Sequence, residues 1–99
     1  MYNVAFVYTA LAGGYEGVVT WSTFKSKKHF NEWYTDDIKA RERIVEEGVS
    51  QERCVELVRR TPKACLVAAA IEKARNPVTG EIDQGILRIE LVTSAFAAA

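Results

Sequence analysis

The sequence is poor in the side chains that form metal centres, disulfide frameworks and nucleophilic sites. It contains one histidine and two cysteines, Cys54 and Cys65, which lack a CxxC spacing. Two separated cysteines are too few for a disulfide framework or a zinc cluster, so we expect two buried free thiols in a reducing compartment. There is no nucleophile elbow, and neither cysteine has a base near it in sequence. We therefore expect no cofactor and no metal, and the sequence favours a non-enzymatic protein without deciding the question.

The sequence also lacks an extended apolar segment and an imbalance between basic and acidic residues. No stretch approaches the roughly 18 apolar residues that a membrane-spanning helix needs, and no signal-peptide pattern opens the chain. Thirteen basic and thirteen acidic residues cancel to a net charge of zero, whereas proteins dedicated to nucleic acids usually carry a basic excess. We therefore expect a cytoplasmic protein without a membrane partner, for which nucleic-acid binding is possible but not favoured.

The composition is that of one globular domain. The chain has 99 residues, of which 48% are hydrophobic and 26% are charged, and this length supports one core. The alanine triplet at 97–99 resembles a cloning junction. We therefore expect a single α+β domain over residues 1–96, followed by a cloning-derived tail at 97–99.

Two strands are predicted in the first quarter of the chain. Apolar and aromatic side chains alternate over residues 2–9, and residues 18–24 are rich in valine, threonine and aromatic residues. The glycine-containing stretch at 10–17 reads as the turn between them. These patterns predict an antiparallel hairpin, which is marginally stable alone and needs other elements packed on it.

A long amphipathic helix is predicted after the hairpin. Ser26 is a suitable N-cap, and Gly48 is a suitable residue to end the helix in the left-handed conformation. The residues at 35–37 offer a second helix start within it. The apolar positions that recur near the helical period are Phe30, Trp33, Tyr34, Ile38, Ile44 and Val45.

Two shorter helices and one undecided segment follow. Ser50 is the N-cap of a predicted helix at 51–60. Thr61 is the N-cap of a predicted third helix, which has Pro62 at its first position and runs to about residue 75. This third helix is apolar nearly all round, which predicts a buried helix. Residues 85–96 alternate as a strand would, yet Asp83 is a suitable cap for a helix there, and such a helix would have to be largely buried. We leave the segment undecided between helix and third strand.

Together these elements predict an α+β fold, in which an N-terminal antiparallel β-hairpin is covered by three or four helices. A hairpin exposes two strand edges, which natural proteins cover, pair or charge. Because isologous dimers are the commonest oligomers, we expect a homodimer.

Four basic residues form a cluster where the first helix begins: Lys25, Lys27, Lys28 and His29. Cations are disfavoured at the positive end of a helix, and a bound phosphate or carboxylate would offset this. Alternatively, the lysines lie on a solvated face at a cost of about a few tenths of a kcal/mol each. The sequence has no phosphate-loop glycines there, so the cluster is a candidate anion site and no more.

Six of the ten aromatic residues lie between residues 15 and 34: Tyr15, Trp21, Phe24, Phe30, Trp33 and Tyr34. Aromatic and basic residues together are typical of single-strand nucleic-acid platforms. The spacing of Phe30, Trp33 and Tyr34 on one helical stripe favours a hydrophobic core instead. Any aromatic residue left exposed would mark a protein interface, and the candidates are Tyr15, Trp21 and Trp33.

Two weaker patterns carry little weight. His29, Glu32 and Asp36 are spaced to share one helical face, but ordinary surface pairing explains them better than a metal site. Arg59, Arg60 and Lys63 lie at the junction of two helices that resembles a helix-turn-helix. The second helix offers alanines rather than polar side chains to base edges, so we reject a DNA reader.

Two hypotheses about function remain. The first is a small, self-associating, non-enzymatic binding or adaptor protein whose partner is unknown. The alternative is an accessory protein that binds an anion, either nucleic acid or a phosphorylated ligand, through the basic cluster that begins at Lys25.

Overall fold

A three-stranded antiparallel sheet lies at the centre of the fold. The structure, a computed structural model, describes the backbone of residues 1–98 and the side chains of residues 1–93. The strands are β1 (Tyr2–Tyr8), β2 (Val19–Phe24) and β3 (Glu42–Val49), in the spatial order β2-β1-β3. The α+β class and the predicted pairing of β1 with β2 are confirmed.

The strand β3 corrects the sequence prediction, which continued a helix to residue 47. Val4, Ala5 and Phe6 of β1 are all 0% exposed, so the backbone N–H and C=O groups along both edges of β1 need hydrogen-bonding partners. The strand β3 pairs with the edge that β2 leaves open. Ile44 and Val45, the last two residues of the predicted helical stripe, lie in β3, where half-buried and exposed positions alternate over residues 42–47. Gly48 has the positive φ expected of it, 67°, but at an irregularity in the β1–β3 register rather than at a helix end.

Two short helices, α1 (Lys27–Trp33) and α2 (Asp36–Arg41), replace the first part of the predicted long helix. The predicted cap is confirmed, because the Ser26 hydroxyl accepts a hydrogen bond from the His29 N–H at 3.2 Å. The side chain of Phe30 is buried against Val4 and Phe6 on one face of the sheet. This contact fixes α1 on that face.

The helix α3 (Gln51–Arg59) covers the opposite face of the sheet. The Ser50 hydroxyl caps it, as predicted, by accepting from the Arg53 N–H at 3.1 Å. Cys54 and Leu57 are buried there against Ala5 and the half-buried Trp21. The sheet is therefore the middle layer between α1 and α3.

The burial of the two cysteine thiols differs from the sequence prediction. Cys54 is buried as expected, but Cys65 is only partly buried. Burial raises the pKa of the Cys54 thiol, and the nearby Glu46 carboxylate raises it further. The predicted pair of buried thiols is thus wrong for Cys65.

The helices α4 (Lys63–Ala74) and α5 (Gln84–Ala98) pack on each other as a helical pair. The undecided segment 85–96 is helical, and Asp83 caps it by accepting from the Ile86 N–H at 3.0 Å. Of the tail predicted at 97–99, residue 99 lies outside the described residues, and the origin of the tail stays a prediction. None of the helices in the described part of the chain has the length and apolarity needed to cross a bilayer.

Thr61 does not cap α4, contrary to the sequence prediction. The helix begins at Lys63, and the Thr61 hydroxyl accepts a hydrogen bond from the Val19 N–H at 3.0 Å instead. The Thr61 hydroxyl, which the local sequence assigns to the helix cap, is therefore used in a hydrogen bond to a residue 42 positions away in sequence.

Candidate functional site

The predicted basic cluster lies on the surface where β2 turns into α1. Lys25, Lys27, Lys28 and His29 are all exposed, so the structure brings the four residues to one corner of the molecule. Among the ion pairs of the described residues, none involves the three lysines. The helix α1 is only seven residues long, so its N-terminal dipole is weak. Anion binding by the cluster stays a prediction.

The aromatic residues of α1 form a core with the sheet. The Phe30 ring lies 5.2 Å from Phe24 and 6.1 Å from Phe6, measured between ring centroids. Trp33 lies 5.1 Å from Phe24, and 37% of its surface is exposed. Aromatic pairs at these distances contribute about 0.5–1.5 kcal/mol each beyond their burial. These rings hold α1 on the sheet.

The three interface candidates lie in three different places. Trp33 is at the rim of the α1 core, whereas Trp21 is half-buried beneath α3 on the opposite face of the sheet. Tyr15 packs on Tyr8 at 5.7 Å, and the Lys73 ammonium lies 5.8 Å from the Tyr15 ring centroid. Tyr15 therefore fastens α4 to the loop after β1. The structure does not bring the three candidates together into one surface.

The fold does not place His29, Glu32 and Asp36 on one helical face, as their spacing in the sequence suggested. The helix α1 ends at Trp33, and Asp36 begins α2, so the three side chains do not share one helical face. Within the described residues, no group of three or more histidine, cysteine, aspartate or glutamate side chains is arranged to hold a metal ion.

An open cleft of about 660 Å³ lies between the loop after β1 and α2. It is lined by Leu11, Ile38, Ala40, Asp37, Arg41 and Glu42. Burial raises the pKa of the Glu42 carboxyl. The cleft mixes apolar walls with charges of both signs at its rim, so it offers a small ligand few convergent polar groups.

The two outer edges of the sheet differ in how they are protected. The β3 edge is irregular, with register shifts near Val45 and Gly48, and it carries four charged residues. Irregularities and charges are the usual means of blocking an edge strand. The sequence of β2, VTWSTF, has no charge, and its pairing with β1 runs from Val7–Val19 to Tyr2–Phe24 without a register shift. The β2 edge is therefore flat and uncharged.

The outward hydrogen-bonding groups of β2 can be assigned from one contact. The Val19 N–H points away from β1, because it donates to the Thr61 hydroxyl. Since N–H directions alternate along a strand, the Trp21 and Thr23 N–H groups also point outward. Among the described residues, no acceptor outside the sheet bonds to either group.

The outer side of α5 is the surface that the sequence analysis missed. Ile86, Ile89 and Val92 are 44%, 65% and 51% exposed, and no side chain of α5 between residues 84 and 93 is buried. The sequence predicts that a helix here is largely buried, and this prediction is wrong. The three-residue spacing of these apolar side chains was the available signal, because it places them along one stripe of the helix.

The helix α4 likewise buries few side chains in the fold. Its buried residues are all alanines, namely Ala69, Ala70 and Ala74, while Val67 is 43% exposed. The prediction of a helix buried all round is therefore wrong as well. The α4–α5 pair buries no large apolar side chain within residues 63–93.

Comparison of the chain with models of known families, with curated proteins and with solved structures finds no match. Its surfaces must therefore be interpreted from their own chemistry.

Proposed function

We propose that the chain is a small, non-enzymatic binding or adaptor protein of the cytoplasm that self-associates as a homodimer. The observation that carries this proposal is the apolar stripe of α5, defined as Ile86, Ile89 and Val92. Covering a half-exposed isoleucine or valine stabilises a contact by about 1 kcal/mol, half the value for full burial. Exposed apolar stripes of this kind are typical of protein interfaces.

The shape of the molecule supports the same proposal. The radius of gyration is 14.6 Å and the extents are 42 × 29 × 19 Å, whereas a compact chain of about 100 residues has a radius near 13 Å. The chain is elongated, with a helical pair whose outer apolar side chains Ile86, Ile89 and Val92 stay 44–65% exposed. A second molecule packed on α5 would make the assembly more compact.

A second copy of the chain suits the stripe because the stripe carries no charge. At about 100° per residue, positions 85, 86, 92 and 93 of α5 lie within about 60° of Ile89, and none is charged. Arg88 and Glu90 lie about 100° to either side. A two-fold contact centred on Ile89 would therefore bring Ile86 of one copy near Val92 of the other without opposing like charges.

Light scattering coupled to size-exclusion chromatography tests the dimer. We expect the chain to elute at twice its mass of 11.1 kDa and the variant Ile89→Glu to elute as a folded monomer, because a buried carboxylate in the contact is strongly disfavoured. The matched control is Arg88→Glu on the same helix, which should remain dimeric. A monomeric wild-type chain, or an Ile89→Glu variant that stays dimeric, would contradict the proposal.

A further inference from the structure

We propose that the outer edge of β2 binds an extended, acidic segment of a partner protein, which adds to the sheet as a fourth strand. This inference rests on the proposed function, because it names the chemistry of the adaptor's partner. It concerns a different surface from the self-association stripe on α5.

The hydrogen-bonding groups of the β2 edge support strand addition. The Trp21 and Thr23 N–H groups point outward, and their carbonyl groups do the same because both groups of a residue point to one side of a strand. The Val19 N–H is not available to an incoming strand, because it donates to the Thr61 hydroxyl. A bound strand centred opposite Ser22 would therefore meet two donors and two acceptors.

The opposite edge of the sheet does not offer such a site. The β3 strand has register shifts near Val45 and Gly48, and it carries Glu42, Arg43, Glu46 and Glu47. A flat incoming strand could not form a continuous series of backbone hydrogen bonds along an edge with two irregularities. Strand addition is thus directed to β2.

The charges around β2 select the chemistry of the incoming segment. Lys25, Lys27 and Lys28 follow one end of the strand, and Arg59 and Lys63 flank Thr61 at the other end. These five side chains are exposed, and none takes part in an ion pair among the described residues. An uncharged strand with basic groups at both ends is complementary to an extended segment with carboxylates at its ends.

The same charges disfavour a second copy of the chain at this edge. Antiparallel pairing of β2 with β2 of another copy would place the Lys25 end of each strand beside the Thr61 end of the other. The exposed lysines would then face Arg59 and Lys63, and juxtaposed like charges weaken association. Self-association is therefore expected at α5, and the β2 edge is left for a partner of opposite charge.

Amide hydrogen exchange of the isotopically labelled full chain tests the inference. The probe is the peptide Glu-Asp-Val-Thr-Val-Thr-Val-Glu-Asp at about 1 mM, a concentration that detects weak binding. We expect it to slow exchange at the amides of Trp21 and Thr23, which it would bond directly. The peptide with all four acidic residues replaced by lysine is the control and should leave both amides unprotected.

Two variants separate strand addition from general attraction. Thr23→Pro removes the outward N–H and is tolerated at an edge, whereas Thr23→Val keeps that N–H. Both variants lose the hydrogen bond from the Thr23 hydroxyl to Asn3, so only the proline variant should lose peptide binding. If the proline variant does not fold, replacing Lys25, Lys27 and Lys28 by serine should weaken binding of the acidic peptide without changing the fold.

Several outcomes would overturn the inference. These are equal protection by the acidic and the lysine peptides, no protection by either, and protection by a single-stranded oligonucleotide in place of the peptide. Protection of Trp21 and Thr23 that rises with protein concentration alone would assign the edge to a second copy. The monomeric Ile89→Glu variant should still bind the peptide, so failure of strand addition and failure of dimerisation are distinguishable.

Discussion

At the scale of single residues, helix caps are the most predictable feature of this chain. Ser26, Ser50 and Asp83 each accept the hydrogen bond that local sequence assigns to them. A cap depends on residues within three positions, so the sequence contains all the information needed. Thr61 is the exception, because its hydroxyl bonds to Val19, a residue that is distant in sequence.

The ion pair between β3 and α3 gives a pH prediction at the same scale. Arg53 holds the Glu46 carboxylate in two hydrogen bonds of 2.9 and 2.6 Å, which lowers the pKa of Glu46. A carboxylate whose pKa is lower in the folded than in the unfolded state stabilises the fold above its unfolded pKa. This contribution is lost as the pH falls through the folded pKa.

Urea unfolding of the wild type and of Glu46→Gln checks this prediction. At pH 7 we expect the variant to unfold at a lower urea concentration, because the charge-assisted hydrogen bonds are weakened. The difference in the urea concentration at which the two proteins unfold should shrink as the pH falls below the usual pKa range of glutamate. At that pH the Glu46 carboxylate of the wild type also becomes protonated. A difference that is constant with pH would show that the ion pair does not contribute.

At the scale of elements, the sequence predicts the first two strands and misreads the third. The alternation in β1 and β2 is regular, whereas β3 contains irregularities near Val45 and Gly48 that break the period of two. Apolar residues at interrupted spacing resemble a helical stripe, and Gly48 resembles a helix end. Only the need of the central strand β1 for a second partner, a tertiary effect, distinguishes the two structures.

Gly48 provides the test of this element. Its φ is +67°, and a Cβ there would lie 3.2 Å from Cε1 of Tyr2. We expect Gly48→Ala to lower the free energy of unfolding by about 1 kcal/mol or more, because alanine disfavours positive φ. Gly48→Asn should lose less, since asparagine tolerates this conformation better. Chemical denaturation measures both, and an alanine variant as stable as the wild type would contradict the assignment.

At the scale of the whole molecule, the sequence predicts the class of fold but does not reveal the exposed apolar stripe of α5. The apolar residues of α5 suggested burial, whereas Ile86, Ile89 and Val92 are exposed. A single chain cannot show from its sequence whether an apolar helix is covered by its own core or by another molecule. The basic cluster is a predicted anion site, and its position beside β2 is the basis of our proposal that it recognises an acidic segment.

We thus propose that the molecule uses two separate surfaces, α5 for a second copy and the β2 edge for a partner. The α4–α5 pair extends the molecule beyond the dimensions of a compact chain. The sheet and its aromatic core hold the β2 edge in a fixed position. This arrangement supports an adaptor that presents two identical strand edges per dimer.

Cysteine cross-linking at the proposed two-fold axis tests the central claim most directly. In a background where Cys54 and Cys65 are replaced by serine, Ile89→Cys should form a covalent dimer on mild oxidation, because residue 89 faces its own counterpart. The control Thr79→Cys, in an exposed turn away from the stripe, should stay monomeric under the same conditions. Equal cross-linking at both positions, or none at residue 89, would contradict self-association through α5.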